Sequence, residues 1–511
     1  MASLRTAHPL GSIDGEKNEG VESSASQVHS PIDMDEAYQY IREVDAGDAT
    51  IDPEGDVGLK ALRRKIDWRI VPIMFACYTM QFIDKVLINY AAVMGLTKDL
   101  KLKGNNFTDQ ATYFFVAYLL AEIINGSFLQ KVPAAKWLGC NIILWGISTA
   151  CTAATHTYRE LLAVRIFLGI FEAAIAPSLM LISSQWYTKS EQAPRFAFWY
   201  CGLGLGQIIG GLISYAFQHV HHPSFTGWRI MFTALGCVTV VIGFIVLFFL
   251  PDTPMSSRFL TEKEKVRLIK HVSVNETGIE NRQFKLSQVI EALFDIQIWL
   301  LILIVILVSI SSGVVTTYSS TLIRGFGYKP PIAALLNMPS GAVSIISTLV
   351  CGFAIERTSH RWAWIVACCV PGIIGGGLMS YMHNQAGQLA GIYLVNAIVA
   401  PLTIIYQWTV ANCAGHSKKV VATAAVAGSF SIGNIIGPQT FQAKDAPEYH
   451  PAKITVLATQ AAAAFVSFVL FLYYVWCNKS RDRKHGLEID AQERQYGNLT
   501  DKENTAFRYV Y

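Results

Sequence analysis

Arg165–Pro177 reads RIFLGIFEAAIAP, inside an almost unbroken apolar run from Leu161 to Trp186. A run of that length forms one helix across a hydrocarbon core of about 30 Å. It nevertheless carries two charges, Arg165 and Glu172. They lie about two helical turns apart and so share one face. A bare charge at the bilayer centre costs about 3 kcal/mol on the lenient scales, so such groups turn toward a partner or a watery cavity. The stretch Phe75–Met94, FACYTMQFIDKVLINYAAVM, repeats the pattern with adjacent Asp84 and Lys85. These two segments are expected to be membrane helices lining one water-filled site.

Composition agrees. The 511 residues are 52% hydrophobic and 15% charged, which excludes an ordinary soluble domain. The formal net charge of +4 gives no basis for a nucleic-acid partner. All ten cysteines fall in or beside apolar segments without metal-ligand spacing, so they are expected to be small core residues, with no disulfide framework and no metal. His156, His219, His221, His222 and His450 fall in connecting loops and are expected to be solvated. No phosphate-binding loop or nucleophile elbow is present, so neither an enzyme nor an ATP-driven pump is expected, and no cofactor.

Residues 1–65 are polar and acidic, with no signal-peptide pattern, and are read as a disordered cytosolic tail in which Asp35–Val44 could form a short helix. The chain then reads as twelve spans at 69–94, 108–130, 137–155, 161–187, 196–217, 229–250, 297–320, 332–355, 361–381, 388–410, 420–441 and 453–476. The basic cluster Arg63, Arg64, Lys65 and Arg69 before the first span places the N-terminus in the cytosol, and an even count of spans returns 477–511 to the same side. Lys131, Lys136, Lys189, Arg195, Arg357, Arg361, Lys418 and Lys419 in the inner loops support this orientation, while Lys98, Lys101 and Lys103 run against it. Asn106-Phe107-Thr108 matches a glycosylation sequon in the first outer loop.

The loop 251–296 divides the spans into halves, 66–250 and 297–476, and Thr261 to Glu264 within it reads as a capping box opening a surface helix. The halves repeat. Gly126–Trp137, GSFLQKVPAAKW, and Gly352–Trp362, GFAIERTSHRW, each set a basic residue (Lys131, Arg357) five positions after Gly. Another basic residue, Lys136 or Arg361, precedes a Trp, and Glu356 adds an acid in the second copy. These five residues are the candidate gating-loop groups. Two repeated six-helix halves with a site between them is the architecture of rocking transporters.

The repeated loop and the six-plus-six layout resemble the major facilitator superfamily. The stretches FIDKVLINYA (82–91), RIFLGIFEAAIAP (165–177), YTKSEQAPR (187–195), LPDTP (250–254), NCAGHSKK (412–419) and IIGPQTFQAKDAPEYHPA (435–452) are similar to anion:cation symporters, and among them to fungal allantoate-permease-like proteins. The resemblance implies that Asp84 and Glu172 carry protons. It also implies that Lys85 and Arg165 meet a substrate carboxylate or pair with the acids. Lys85 stands where relatives have Arg, which keeps the charge and loses the bidentate fork. Gln207 stands in the Gly-rich run 202–211 where drug antiporters of the superfamily have Pro.

Independent of resemblance, Asp84 and Glu172 both lie about ten residues from the outer ends of their spans. At ~1.5 Å per residue this is roughly 15 Å deep, near the midplane. Burial favours a neutral carboxyl and a nearby cation favours a charged one, so an acid alternating between a cation and a proton can couple transport. The alternative is a static ion pair between spans one and four. Tyr118 and Glu122 share a face of span two. Glu122 is either a third protonatable group or a packing residue. Gln207, Tyr318, Tyr406, Gln407, Asn412 and Asn434 are candidate hydrogen-bonding groups for substrate.

The expected function is proton symport of a small organic anion across the plasma membrane by alternating access, by a monomer in the lipid bilayer. Two alternatives stay open: a non-transporting nutrient sensor, and a proton-independent uniporter of a small polar solute.

Overall fold

The computed structural model describes residues 56–129, 131–220, 225–273, 285–358, 360–446, 448–483, 499–504 and 507–511. Among the described residues the regular structure is helical. The first half runs α1 (Asp56–Val93), α2 (Leu96–Asp99), α3 (Asn106–Phe128), α4 (Ala134–Thr152), α5 (Tyr158–Glu172), α6 (Ile175–Trp186), α7 (Lys189–Tyr200), α8 (Gly202–Gln218) and α9 (Gly227–Phe249). Two connecting helices follow, α10 (Glu262–Ser273) and α11 (Leu286–Leu293). The second half runs α12 (Ile296–Gly325), α13 (Pro330–Leu336), α14 (Met338–Thr358), α15 (Arg361–Tyr381), α16 (Gln385–Val395), α17 (Val399–Asn412), α18 (His416–Gln439) and α19 (His450–Arg483).

Several of the expected spans are broken helices, and the sequence explains the breaks. Span four splits into α5 and α6 at Ala173-Ala174. Pro177 cannot donate to the carbonyl four residues back, which loosens that turn. A short 3-10 turn, Asn396–Ile398, divides α16 from α17 just ahead of Pro401. Thr157 caps α5 by accepting from Glu160 N at 3.3 Å.

Ten helical segments among the described residues are long and apolar enough to cross a membrane. α3 and α4, expected as spans two and three, are not among the ten. Polar groups dilute them: Asp109, Glu122 and Asn125 on α3, and Lys136, Asn141, Ser148 and Thr149 on α4.

α4 lies flush on α9 because glycines replace side chains at the crossing. A Cβ on Gly146 would meet Val240 N at 2.8 Å, and one on Gly236 would meet Ala150 N at 2.6 Å. Side-chain hydrogen bonds joining the two halves gather at one end of the bundle. Asn89 donates to Ser319 at 2.8 Å, Asn105 to Gln442 at 2.9 Å, and Gln439 to Thr112 at 2.7 Å. Tyr318 Oη lies 2.6 Å from Thr108 Oγ1, and the Tyr318 ring stacks on Phe441 at 4.0 Å. Thr108 is buried in this seal, so the hydroxyl of the expected sequon is already engaged.

Residues 56–65, read as tail, are the first turns of α1. There Lys65 pairs with Glu264 at 2.7 Å and Asp67 binds Arg195 with two contacts of 2.6 Å. The capping box at Thr261 is present, with Glu264 accepting from Thr261 N at 2.8 Å. The surface helix it opens docks by its apolar face, with Val266 and Leu268 buried and His271 meeting Glu191 at 3.0 Å. Residues 499–504 and 507–511 also pack back onto the second half. Asp501 meets buried Lys418 at 2.7 Å, and Val510 O accepts from Trp408 and Asn412. The Asp35–Val44 expectation, and those for His221 and His222, lie outside the described residues.

Candidate functional site

Of the four charges expected in spans one and four, Lys85 and Glu172 form a direct ion pair. Lys85 Nζ lies 3.2 Å from Glu172 Oε1, joining α1 to α5. The same ammonium lies 5.3 Å from the Tyr118 ring centre and 5.9 Å from that of Phe430. Phe430 belongs to α18, so this cation stands at the seam of the halves. Glu172 is fully buried.

Asp84 is buried and held by neutral donors. Trp145 Nε1 donates to Asp84 Oδ2 at 2.6 Å, and Thr149 Oγ1 donates to the same oxygen at 2.9 Å. Arg165 is 3% exposed, with its guanidinium carbon 5.9 Å from the Phe232 ring centre. Its Nε and Nη2 have no hydrogen-bond partner among the described residues. The electrostatic neighbours of Arg165 are Asp84 and Glu172. A buried donor left unmatched is costly.

Tyr118 is buried beneath Lys85, and Glu122, one turn along, is half-buried within electrostatic reach of the same ammonium. Gln81, one turn before Lys85, lies beside Glu172 and Tyr118. Aromatic rings border the cluster, with Tyr78 against Trp199 at 4.6 Å and Tyr200 at 5.6 Å. Tyr406 is half-buried near Tyr200 and Glu122, while Gln407 is exposed. Gln207 is buried, its backbone carbonyl accepting from Tyr90 Oη at 3.2 Å and its Nε2 without a partner among the described residues.

Three candidates fall elsewhere. Tyr318 belongs to the seal with Thr108 and Phe441. Asn412 is spent on Val510, donating to its carbonyl at 2.9 Å and accepting from its N–H at 2.8 Å. Asn434 donates to Phe430 O within its own helix at 2.8 Å. Each has a hydrogen-bond partner inside the protein.

In the repeated loops, Lys136 pairs with Asp252 of the LPDTP stretch at 3.7 Å. Lys131 and Arg357 are exposed, and Arg361 donates its backbone N–H to Tyr511 O at 2.8 Å. The Glu356 side chain lies outside the described residues. Trp145 and Thr149 were missed from the sequence. Their signal was a Trp and a Thr four apart on one face of a span.

Residues 74–438 match the family model of the Major Facilitator Superfamily. The chain is 37% identical over 98% of its length to a "Thiamine pathway transporter" of Saccharomyces cerevisiae, covering 99% of that protein. It is 31% identical to the "Allantoate permease" of the same yeast, covering 93% of this chain and 90% of that one. Among solved structures, a D-xylose–proton symporter superposes with a TM-score of 0.62 at 14% identity, covering 78% of this chain and 97% of that one. That likeness speaks to fold. The chain is a membrane transporter and not an enzyme, and it belongs to the major facilitator superfamily, among the fungal permeases that include the allantoate permease.

Proposed function

We propose that this transporter carries a small organic anion, a carboxylate of the allantoate or ureidosuccinate kind, inward across the plasma membrane together with protons. The observation that carries the reading is the Lys85–Glu172 pair at the seam of the halves. A proton on Glu172 removes the acid's charge and leaves Lys85 to the carboxylate of the substrate. Deprotonation restores the pair and expels the anion, so proton and anion travel together. Arg165 adds a second positive centre, and Asp84 a second proton-binding carboxyl. Glu122 stands close enough to Lys85 to modulate both. The hydrogen-bonded seal at Thr108 and Tyr318 is read as the closed outer gate, with both termini cytosolic and the monomer as the working unit.

The test is accumulation of labelled allantoate and ureidosuccinate in cells expressing the protein, at acid and neutral pH, with and without an uncoupler. One anion is expected to accumulate at acid pH and to leak out when the gradient collapses. Thiamine belongs in the panel because the relative at 37% identity is named for the thiamine pathway. Uptake of thiamine and of no anion, by protein shown to be at the surface, overturns the anion reading. Accumulation indifferent to the uncoupler overturns the coupling.

A further inference from the structure

Asp84 differs from the other acid of the site in its partners. Glu172 meets a cation, whereas Asp84 is gripped by an indole N–H and a hydroxyl, both on α4 and both directed at one oxygen, Oδ2. Trp145 and Thr149 are fully buried and four residues apart, so they present a single face. That face is fixed from behind. Gly146, between them, has no room for a Cβ against Val240 and Gly236 of α9, so the donors stand on a helix pair locked in register.

We propose that Trp145 and Thr149 are positioning residues for proton coupling: they hold Asp84 Oδ2 and direct the proton to Oδ1. This rests on the reading of Asp84 as a proton-binding group. An oxygen that already accepts two hydrogen bonds has little lone-pair capacity left for a proton. Oδ1 therefore takes it, and Oδ2 becomes the carbonyl oxygen of the acid. That oxygen still accepts from both donors. The clamp thus keeps the carboxyl in one orientation through protonation and release, while favouring the charged form because the charged oxygen is the better acceptor. The charged groups facing Asp84 are Lys85 on its own helix and Arg165 and Glu172 from α5. α8 and α12 meet α1 through the neutral groups Gln207 and Ser319. None of these changes when a donor on α4 is removed, so a shift caused by that removal reports on the clamp.

Infrared difference titration of the purified protein in lipid nanodiscs, with no transported solute, reads the proton directly. A carboxylic C=O band that grows on acidification and is absent from Asp84→Asn assigns the titration to Asp84. Thr149→Val and Trp145→Phe each remove one donor, and each is expected to move the midpoint of that band up by about one pH unit. Thr149→Ser keeps the hydroxyl and is expected to titrate as the wild type. Should Trp145→Phe fail to fold, the Thr149 pair carries the test. A Thr149→Val midpoint equal to the wild type, or a Thr149→Ser midpoint equal to that of Thr149→Val, overturns the clamp and leaves the coupling reading standing. A wild-type spectrum with no band sensitive to Asp84→Asn overturns both.

Discussion

Lys85 connects three helices through one ammonium: it pairs with Glu172 of α5, lies over Tyr118 of α3, and reaches Phe430 of α18 across the seam. Removing it leaves Glu172 buried without its cation, a change that disfavours the ionised acid as well as the substrate anion. Lys85→Ala is expected to lower kcat/KM for the anion by about 10- to 100-fold, the worth of one charge-assisted contact. Glu172→Gln is expected to act differently. The amide cannot neutralise Lys85, so the anion binds whether or not protons are present. Exchange of labelled for unlabelled substrate should persist while uphill accumulation is lost. Loss of both in Glu172→Gln, with normal surface expression, means that the acid holds the helices together and does not couple. The sequence made these charges visible because charges in apolar runs stand out. It could not show that Asp84 would be held by Trp145 and Thr149, since an indole on a hydrophobic span looks like any packing residue. Nor could it separate Asn412, tied to Val510, from a group open to substrate, because that partner lies 98 residues away in sequence.

Elements were read well where periodicity and length decided them, and poorly where polar groups or distant partners did. Span four was legible as one crossing, yet its break at Ala173-Ala174 follows from Pro177, a local rule that hydropathy does not carry. α3 and α4 were expected as spans two and three, and the polar groups that dilute their apolarity have separate partners: Asn125 accepts from Trp137 Nε1 at 3.2 Å, Thr149 donates to Asp84, and Lys136 pairs with Asp252. The glycines of α4 and α9 drew no reading from the sequence, because their purpose needs the partner helix. Gly236→Ala places a Cβ 2.6 Å from Ala150 N, where backbone cannot yield. It is expected to cost about 1–3 kcal/mol and lower the melting temperature in detergent. Gly126→Ala is the control. Its Cβ would meet nothing within 4 Å, and alanine favours a helix, so its melting temperature should hold or rise. Equal melting of both variants removes the close α4–α9 crossing as the reason for these glycines.

At the scale of the whole molecule, the second half is braced by chain that the sequence presented as a tail. Asp501, Tyr509, Val510 and Tyr511 reach α12 through Gln297, α15 through the Arg361 N–H, α17 through Trp408 and Asn412, α18 through Lys418, and α19 through Asn478. Such a brace is illegible in composition because each contact is long-range and made by one or two side chains. Its centre is Lys418, fully buried, which meets Asp501 at 2.7 Å, Asp295 at 2.6 Å and Glu291 at 2.8 Å. Asp501 also accepts from Tyr509 Oη at 2.7 Å. Removing one partner of a buried ion pair costs about 3–5 kcal/mol, whereas an exposed pair contributes about 0–1 kcal/mol. Asp501→Asn is therefore expected to lower the melting temperature clearly, while Asp482→Asn, which breaks an exposed pair with Arg508, should leave it unchanged. Acidity offers a second handle. Burial pushes the Asp295 carboxyl up, but the hydrogen bond and charge of Lys418 outweigh it and hold the group below its ordinary range. A carboxyl depressed in the folded state adds stability that is complete above its unfolded pKa of about 3.9 and is lost as pH falls through the folded value. The Asp295 contribution should therefore be constant between about pH 5 and 8. A melting temperature that fell across that window in the wild type, and stayed level in Asp295→Asn, would show that the brace is held by a group titrating far higher than this geometry allows.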